Sequence, residues 1–443
     1  MSQCSNDENA LRRDRVHLVI QSFKHSFVIR AWSFVIFFKR RAYEMTGLIN
    51  WIRQTLVITK FSILTVPQRA GASATAIFGI AGVVAVMIGV LSIAQGFRKT
   101  MMTAGEPDTV LVMRSGADSE MTSILSKDNT RIIADAPGIV RTEDGPAVSA
   151  ELFVSVDLPK RNTGTDANVP MRGVGPEAFR IREQVKIRAG RKFIPGRNEV
   201  IVGCAAEGEF AGTNLGDELN VNGEKWKVVG IFSANGGLPE SEIWTDTTVL
   251  QGAYQRGTSF QSVFVKLKSP ESFQVFKDSL TSDPRLNVKI IRETDYYAEQ
   301  SRRLTNLITK LGSIIAVLMG IGAVFGALNT MYSAVSSRTR EIATLRALGF
   351  GASPVIVSIL LESLVLALVG GAIGGGLAYF LFDGYRAATI NWQTFSQVAF
   401  AFAVTPALLL QGAIYAITIG FFGGLFPALR SSKMQIAAAL REL

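Results

Sequence analysis

Four long apolar segments constrain this 443-residue chain more than any other feature. They cover residues 72–94, 307–332, 355–382 and 404–426, and a bilayer core takes about 20 apolar residues in a helix. Across the whole chain 48% of residues are hydrophobic, which is more than a soluble enzyme usually contains. We therefore expect an α-helical membrane protein with four transmembrane helices.

Small residues recur at four-residue spacing inside these segments. In lipid, such spacing lets two helix backbones approach closely, and packing rather than hydrophobicity drives helix association there. We therefore predict that these residues pack helix against helix. They are Gly322 and Gly326, Gly370 and Gly374, and the run Gly412, Ala416, Gly420 and Gly424.

A large insert, residues 95–306, separates the first two apolar segments and is rich in strand and turn signals. Alternating or continuous apolar runs predict strands at residues 110–114, 151–156, 199–203, 225–232 and 262–268. Asn222-Gly223 is the dipeptide that a tight hairpin prefers, because both positions need positive φ. Residues 263–267, 271–280 and 288–291 indicate a β-α-β unit. We expect a mixed α/β extracytoplasmic domain of at least two lobes, joined to the helices by a stalk.

The chain before the first apolar segment has two parts. Residues 45–71 predict an amphipathic helix at the membrane interface, because Ile49, Ile52, Leu56 and Ile63 share one helical face and basic residues lie elsewhere. Residues 1–44 contain an apolar stretch that charged residues interrupt, and we interpret them as an extension from an upstream start codon, with Met45 as the natural start.

Basic residues in the short connections set the predicted orientation. Lys and Arg precede the first segment, lie between the second and third, and follow the fourth, whereas the connection 383–403 has only Arg386. By the positive-inside rule both termini, residues 333–354 and the tail 427–443 are cytoplasmic, and the insert and the loop 383–403 are periplasmic. Five basic residues disagree, because they flank the insert on the side predicted to be outside. They are Arg98, Lys99, Arg302, Arg303 and Lys310.

The connection 333–354 contains a short charged segment that favours a helix. Arg338, Glu341 and Leu345 follow helical spacing, and Ile342, Leu345 and Leu348 give it an apolar edge. Gly349 is placed to end this helix in a left-handed conformation. From these residues alone the helix is either a simple turn between spans or a contact surface for a cytosolic partner.

Several motifs, in order, resemble those of FtsX-like permeases, the membrane subunits of MacB-type ABC transport systems. The first is RTREIATLRALG, residues 338–349, followed by a glycine-rich span. GRKF at 190–193, EVIVG at 199–203, WKVVGIF at 226–232 and ESEIWTD at 240–246 resemble the family's periplasmic core domain. The terminal AAALREL resembles its cytoplasmic tail. The resemblance runs from about residue 48 to the end of the chain.

The resemblance implies a permease subunit in the bacterial inner membrane that transmits motion from a separate ABC ATPase dimer to its periplasmic domain, for export or extraction of a substrate. ATP and Mg²⁺ would be held by that partner, with no cofactor in this chain. A second permease copy or paralogue, and a periplasmic adaptor or membrane-fusion protein, are further implied partners. The coupling helix it implies contains Arg338, Arg340, Glu341, Leu345, Arg346 and Gly349, with Ile342 and Leu348 as its docking edge.

Other functions have less support in the sequence. The phosphate-binding Gly-x-x-x-x-Gly-Lys-Ser/Thr pattern is absent, and the nearest phrase, Gly96-Phe-Arg-Lys-Thr100, lacks its loop glycines. His17 and His25 precede the insert, and Cys4 and Cys204 are too few for a disulfide framework or a metal cluster. The basic residues are scattered rather than gathered on one face, which disfavours nucleic-acid binding.

Three polar features remain open. Glu240 and Glu242, near Trp244, resemble a paired-carboxylate site, but a polar loop leading into a strand is the simpler interpretation. Asn329 and Glu362 lie within apolar segments, where an acid is a functional candidate by default. For Glu362 we favour a structural contact with interfacial water or with a basic residue of the charged segment.

Two alternatives keep part of this architecture. The first is a membrane regulator that signals through its outer domain to cell-wall or division enzymes without transport. The second is a membrane-tethered hydrolase, which would need catalytic residues within the insert. The cargo, whether macrolide, peptide, lipid or lipoprotein, is not specified by these residues.

Overall fold

The computed structural model describes residues 47–143, 145–391 and 394–433. The predictions for residues 1–44 and for the end of the tail lie outside these ranges, as do Cys4 and both histidines. Four helices in the described part are long and apolar enough to cross a membrane: Ser73–Thr103, Glu293–Ser336, Ala352–Phe382 and Pro406–Ser432. Each of them includes one of the four apolar segments.

The helices in the described ranges are numbered here in chain order. They are α1 (Gly47–Leu64), α2 (Ala70–Thr103), α3 (Lys127–Asp135), α4 (Ala178–Ile181), α5 (Cys204–Glu209), α6 (Thr247–Ala253), α7 (Phe273–Thr281), α8 (Glu293–Ser336), α9 (Thr339–Ala347), α10 (Ala352–Phe382) and α11 (Pro406–Ser432). Short 3-10 turns cover Val66–Arg69, Glu120–Thr122, Leu238–Ser241 and Pro270–Ser272. Helices α2 and α8 extend well past their apolar segments, and neither extension contains a proline.

The strands are β1 (Thr109–Arg114), β2 (Arg141–Thr142), β3 (Gly145–Pro146), β4 (Val148–Pro159), β5 (Asp166–Val174), β6 (Lys186–Gly190), β7 (Glu199–Gly203), β8 (Glu218–Val221), β9 (Glu224–Ser233), β10 (Ile243–Asp246), β11 (Ser262–Lys266), β12 (Val288–Arg292), β13 (Arg386–Asn391) and β14 (Ser396–Ala401). Ten of them form one sheet in the order β12-β1-β11-β4-β5-β10-β7-β9-β6, with β8 paired to β9. The pairs β5/β10 and β7/β9 are parallel, so the sheet is mixed.

Two of the hydrophobic cores along this sheet belong to its two halves. One contains side chains of β1, β11, β12, α3 and α7, and the other those of β4, β5, β7, β8, β9 and β10. The long strand β4 pairs with β11 through Val148–Glu151 and with β5 through Leu152–Pro159. It therefore joins the two halves of the domain.

Two local predictions within the insert are confirmed. Asn222 and Gly223 have φ of 54° and 78° and connect β8 to β9 in an antiparallel hairpin. The β-α-β unit is formed by β11, α7 and β12, and β1 is inserted between its two strands and antiparallel to both.

The connection 383–403 has more structure than the short loop that the sequence predicts. Within its described residues, β13 and β14 form an antiparallel hairpin with Arg386 opposite Ala401. The hairpin packs on the sheet domain, where the Ser241 hydroxyl accepts a hydrogen bond from the Ala399 amide at 3.0 Å. The reason is the alternation of Val398 and Phe400, which are buried in a core with Phe97 and Tyr296.

The chain divides into two compact units, which are described separately below. The first consists of Met1–Ala76, Val324–Ala367 and Gly420–Leu443, and it contains α1 and α9. The second consists of Ile77–Ala323 and Leu368–Ile419, and it contains the sheet domain and the hairpin.

Candidate functional site

The charged segment in the first unit forms the predicted short helix. Helix α9 runs from Thr339 to Ala347, and Gly349 follows with a φ of 94°. The Phe350 amide donates to the Leu345 carbonyl and the Gly349 amide to that of Arg346, both at 3.1 Å. This is a Schellman-type end, for which a residue without Cβ is favoured at the left-handed position. The predicted termination at Gly349 is confirmed.

Arg338, the residue before α9, is held inside the first unit rather than offered to solvent. Its guanidinium pairs with the Glu362 carboxylate of α10 at 3.0 Å. It also donates to the Thr65 hydroxyl at 2.7 Å and to the Ser62 carbonyl at 3.1 Å. Only 11% of the Arg338 side chain is exposed, and 3% of that of Glu362. Arg338 therefore ties α9 to α1 and α10, and Glu362 has the structural contact favoured from the sequence.

The remaining residues that the sequence predicts for coupling differ in their exposure. Arg340 and Glu341 are exposed on α9, whereas Ile342 is buried within the chain. Leu345 and Leu348 are half-buried. Ile342 therefore presents no surface to a separate protein, because its apolar side chain is already covered by this chain. The predicted docking edge is reduced to the exposed parts of Leu345 and Leu348.

Arg346 is a second tie within the first unit. Its guanidinium donates to the Ser432 carbonyl, at the end of α11, at 2.8 Å. Helix ends present unpaired carbonyls, and a basic side chain stabilises them. Arg338 and Arg346 together thus connect the neighbourhood of α9 to α1, α10 and α11, leaving Arg340 and Glu341 as the outward charges of the helix.

Helix α1 lies along the start of α10. The Trp51 indole donates to the Ser353 hydroxyl at 3.0 Å, and the Gly351 amide donates to the Gln54 side chain at 3.3 Å. Thr55, Ile58 and Ser62 are buried against the chain. The opposite face is apolar and exposed, with Ile49, Ile52, Leu56 and Ile63 on it. A helix whose exposed face is its apolar face suits a lipid surface.

Six of the eight predicted packing residues lie in close helix contacts. A Cβ at Gly370 or Gly374 would overlap the α2 backbone at Ile77 or Ala81, and one at Gly412 would overlap Ile88. Ala416 lies against Gly371. In the first unit, Gly420 contacts Ala367 and Gly424 contacts Ser363.

The other two packing residues, on α8, differ from the prediction. Gly322 and Gly326 have no heavy atom of the described chain near the place where a Cβ would lie. Asn329, also on α8, is exposed and makes no side-chain hydrogen bond within the described residues. Of the four membrane-length helices, α8 is the least covered by the rest of the chain, because only 22% of the residues in its most apolar stretch are buried. The described chain therefore leaves this face of α8 uncovered.

A buried cluster of charged side chains lies in the second unit, and sequence reasoning missed it. The guanidinium of Arg172 pairs with Glu120 at 2.7 Å and with Glu151 and Glu242 at 2.9 Å. Arg182 pairs with Glu151 at 2.7 Å. The sixth member is Glu293, 3.9 Å from Arg182. Glu242 lies between a 3-10 turn and β10, where the interpretation of a polar loop leading into a strand places it, and its side chain is a buried ion-pair partner.

Burial and the two arginines have opposing effects on the ionisation of the carboxyl groups in this cluster. Burial opposes ionisation of Glu151, but Arg182 and Arg172 outweigh it and hold the pKa of Glu151 below its usual value. Arg182 also lies over the Phe264 ring at 3.9 Å from its centroid. The cluster joins β4, β5, the start of β10 and, through Glu293, the first residue of α8.

Groups that would support catalysis or nucleotide binding are few in the described part of the chain. No three His, Cys, Asp or Glu residues there are grouped as metal ligands. Gly96–Thr100 lies inside α2 rather than in a phosphate-binding loop. Burial, followed by the nearby Glu240, raises the pKa of the Cys204 thiol to about 11, which leaves it protonated and unreactive at neutral pH.

Comparison with protein-family models identifies both parts of the chain. Residues 73–283 match the MacB-like periplasmic core domain, and residues 313–436 match the FtsX-like permease C-terminal domain. The chain thus contains a MacB-like periplasmic core domain followed by an FtsX-like permease domain. This confirms the resemblance read from residues 338–349 and from the insert motifs, and it identifies the chain as a multi-pass membrane protein of the ABC transporter permease type.

Individual relatives are distant. The uncharacterized ABC transporter permease YknZ of Bacillus subtilis is 25% identical over 389 residues, which is 82% of this chain and 92% of YknZ. The macrolide export ATP-binding/permease protein MacB of Rhodopseudomonas palustris is 24% identical over 332 residues, covering 71% of this chain but 49% of MacB. The chain thus matches about half the length of its MacB relatives.

Two solved structures are similar in part. The extracellular domain of YknZ aligns with 42% of this chain and 100% of its own length, at 16% identity and a TM-score of 0.30. The periplasmic region of MacB from Actinobacillus actinomycetemcomitans aligns with 44% of this chain and 94% of its own length, at 16% identity and a TM-score of 0.34.

Proposed function

We propose that this permease is a mechanotransmitter, in which a separate ABC ATPase dimer binds α9 and moves it, and the motion reaches the extracytoplasmic sheet domain. In this proposal α9 and both termini are cytoplasmic and a substrate is exported or extracted on the outer side. A second permease copy or paralogue completes the complex, and an adaptor protein is a further partner.

The observation that carries the proposal is the way in which α9 is held. Arg338 and Arg346 tie its neighbourhood to three other helices through buried or half-buried contacts. A helix fixed in this way moves together with its neighbours when a partner displaces it. Its exposed charges, Arg340 and Glu341, remain available to the partner.

The path from α9 to the sheet domain has support from helix continuity. Helix α8 ends at Ser336, two residues before Arg338, and is a single 44-residue helix from Glu293. Its first residue, Glu293, belongs to the buried Arg–Glu cluster of the sheet domain. An unbroken helix resists bending, and the cluster holds the first residue of α8. We therefore expect a displacement of Ser336 to displace Glu293 as well.

Exchanging the two exposed charges tests the docking step. In the double variant Arg340→Glu, Glu341→Arg, the net charge and the buried ties are unchanged, but the charge pattern offered to the partner is reversed. We expect binding of the proposed partner ABC ATPase to weaken roughly tenfold or more, with a parallel loss of stimulated ATP hydrolysis. Co-purification and ATPase assays in detergent measure both.

The matched control exchanges an exposed ion pair far from α9 in the sequence. Lys225 and Glu218 lie 3.7 Å apart in the sheet domain, with side chains 78% and 61% exposed. The variant Lys225→Glu, Glu218→Lys should bind the ATPase as the unaltered chain does. Unchanged binding by the α9 variant, or an equal loss in the control, would contradict the proposed coupling role.

A further inference from the structure

Five basic side chains lie along the second unit's parts of α2 and α8 and are not used by the proposed coupling. They are Arg98, Lys99, Arg302, Arg303 and Lys310, and they are called the basic collar below. All five are exposed. In the part of the chain that the structure describes, none of them lies within ion-pair distance of a carboxylate. They are also the residues that disagree with the positive-inside rule, so their charge needs a separate explanation.

The pairing of α2 with α8 places the five collar residues side by side. A Cβ at Gly105 would lie 2.9 Å from the Thr294 amide nitrogen, and one at Gly312 would lie 2.8 Å from Val90. Helices α2 and α8 are therefore antiparallel neighbours over this stretch, and residues 98–99 lie beside residues near 302. Phe97 and Met101 point into a core with Tyr296. The basic residues occupy the outer faces of the same turns.

The surface beside the collar changes abruptly from basic to apolar. On α8, Leu307 and Leu311 are 56% and 53% exposed, and Ile314 continues this face one turn later. An apolar face that ends in unpaired Lys and Arg within about two turns matches the boundary between lipid tails and headgroups.

Three of the four acidic groups near the collar form ion pairs with lysines outside it. Glu299, one turn before Arg302 and Arg303, pairs with Lys289 at 3.8 Å. The Glu106 and Asp108 carboxylates, beyond the end of α2, pair with Lys266. Asp295 is exposed on α8 about two turns before Arg302. The collar thus carries an excess of positive charge that the described residues do not neutralise.

We propose that the basic collar binds the phosphate groups of anionic phospholipids in the leaflet next to the sheet domain. Arginine forms paired hydrogen bonds with phosphate oxygens, and lysine contributes a point charge. Phosphates bound in this way fix the depth of α2 and α8 in the bilayer. The bound lipid also explains why five positive charges are tolerated on the side opposite to that expected for basic loops.

A tryptophan reporter measures lipid choice at this place. Leu307→Trp puts the indole on the exposed face of α8 beside the collar, and the same chain without this change supplies the background of the native tryptophans. The full-length reporter is reconstituted in nanodiscs that contain either brominated phosphatidylglycerol or brominated phosphatidylcholine at equal mole fraction. Bromine quenches the indole in proportion to the occupancy of neighbouring sites by that lipid.

We expect phosphatidylglycerol to be preferred, and the preference to fall by up to about fivefold for each collar charge removed at low salt. In the variant with all five residues changed to Gln, both lipids should quench the indole fluorescence equally. A control with five exposed basic residues of the sheet domain changed to Gln should keep the preference. These are Lys127, Arg131, Lys186, Arg188 and Arg197.

Salt gives a second measurement that does not depend on how well the variant folds. Raising the salt concentration should reduce the preference of the unaltered reporter, because exposed charges are screened over about 10 Å at 0.1 M. Equal quenching by both lipids in the unaltered reporter, or a preference that survives in the collar variant, would overturn the proposal. If the collar variant changes only the oligomeric state, the collar pairs with a second copy and the lipid assignment is wrong.

Discussion

Glu293 gives a quantitative test of the buried cluster, because its carboxyl lies where a charge is poorly stabilised. It is 1% exposed, and it accepts one hydrogen bond, from the Glu106 amide at 3.2 Å. Its other oxygen is 3.9 Å from Arg182 and has no hydrogen-bond partner within the described residues. Burial raises the pKa of Glu293 to about 7, and the Glu106 and Glu151 carboxylates add to this against the opposing effect of Arg182.

The sign and size of the effect on stability follow from this pKa. The unfolded chain has the ordinary carboxyl value of 4.5, so the folded protein binds the proton more tightly than the unfolded chain does. The stabilisation from the bound proton is complete below pH 4.5 and is lost as the pH rises through about 7. Between pH 5 and pH 8 this one group changes the free energy of unfolding by about 2.5 kcal/mol. For a domain of this size that corresponds to roughly 5–10 °C in Tm.

The variant Glu293→Gln keeps the shape and the acceptor oxygen but cannot ionise. Unfolding of the full chain in detergent is followed by fluorescence, since Trp226 and Trp244 are fully buried in the sheet domain. We expect the Tm of the variant, compared with that of the unaltered chain at the same pH, to be higher at pH 8 than at pH 5. Glu199→Gln is the control, because the pKa of Glu199 is lowered to about 2 by Arg191 and both states are ionised in this range. A difference for Glu293→Gln that stays constant with pH would refute a protonated carboxyl at this site.

Two further predictions concern helix contacts. Arg338→Gln leaves the buried Glu362 carboxylate without its partner and should destabilise the first unit by about 3–5 kcal/mol, whereas adding Glu362→Gln should recover much of the loss in thermal unfolding. If the double variant is as unstable as Arg338→Gln alone, the buried ion pair between Arg338 and Glu362 is contradicted. Gly374→Ala places a Cβ against the Ala81 backbone and should destabilise the fold by about 1–3 kcal/mol, whereas Gly376→Ala faces open space and should be neutral. Equal Tm values for the two alanine variants would disprove the close approach.

Local chemistry in the sequence predicted the elements well. The Asn222-Gly223 turn, the strands around it and the end of α9 at Gly349 each depend on residues that are neighbours in the chain. The Arg–Glu cluster could not be found in this way. Arg172 meets Glu242 because β5 and β10 pair in parallel with Arg172 opposite Trp244, and no signal near either residue specifies that pairing.

Periodicity also did not show which surface a side chain would contact. Ile342 and the exposed residues of α9 fit the same helical pattern, but Ile342 is covered by this chain and Arg340 is not. Similarly, Gly370 and Gly322 have the same four-residue spacing to a second glycine, yet only Gly370 contacts another helix of the described chain. Spacing identifies a face, and the partner of that face depends on the tertiary arrangement.

The position of β1 between β11 and β12 has a consequence for how the protein is made. The first strand of the insert pairs only with strands that are synthesised at its far end. β1 therefore cannot pair on both of its edges until Arg292 has been synthesised. The delay leaves at least one edge of this largely apolar strand, TVLVMR, open until then. It also places the two ends of the insert side by side, so the whole domain can be exchanged for another during evolution without separating the helices that carry it.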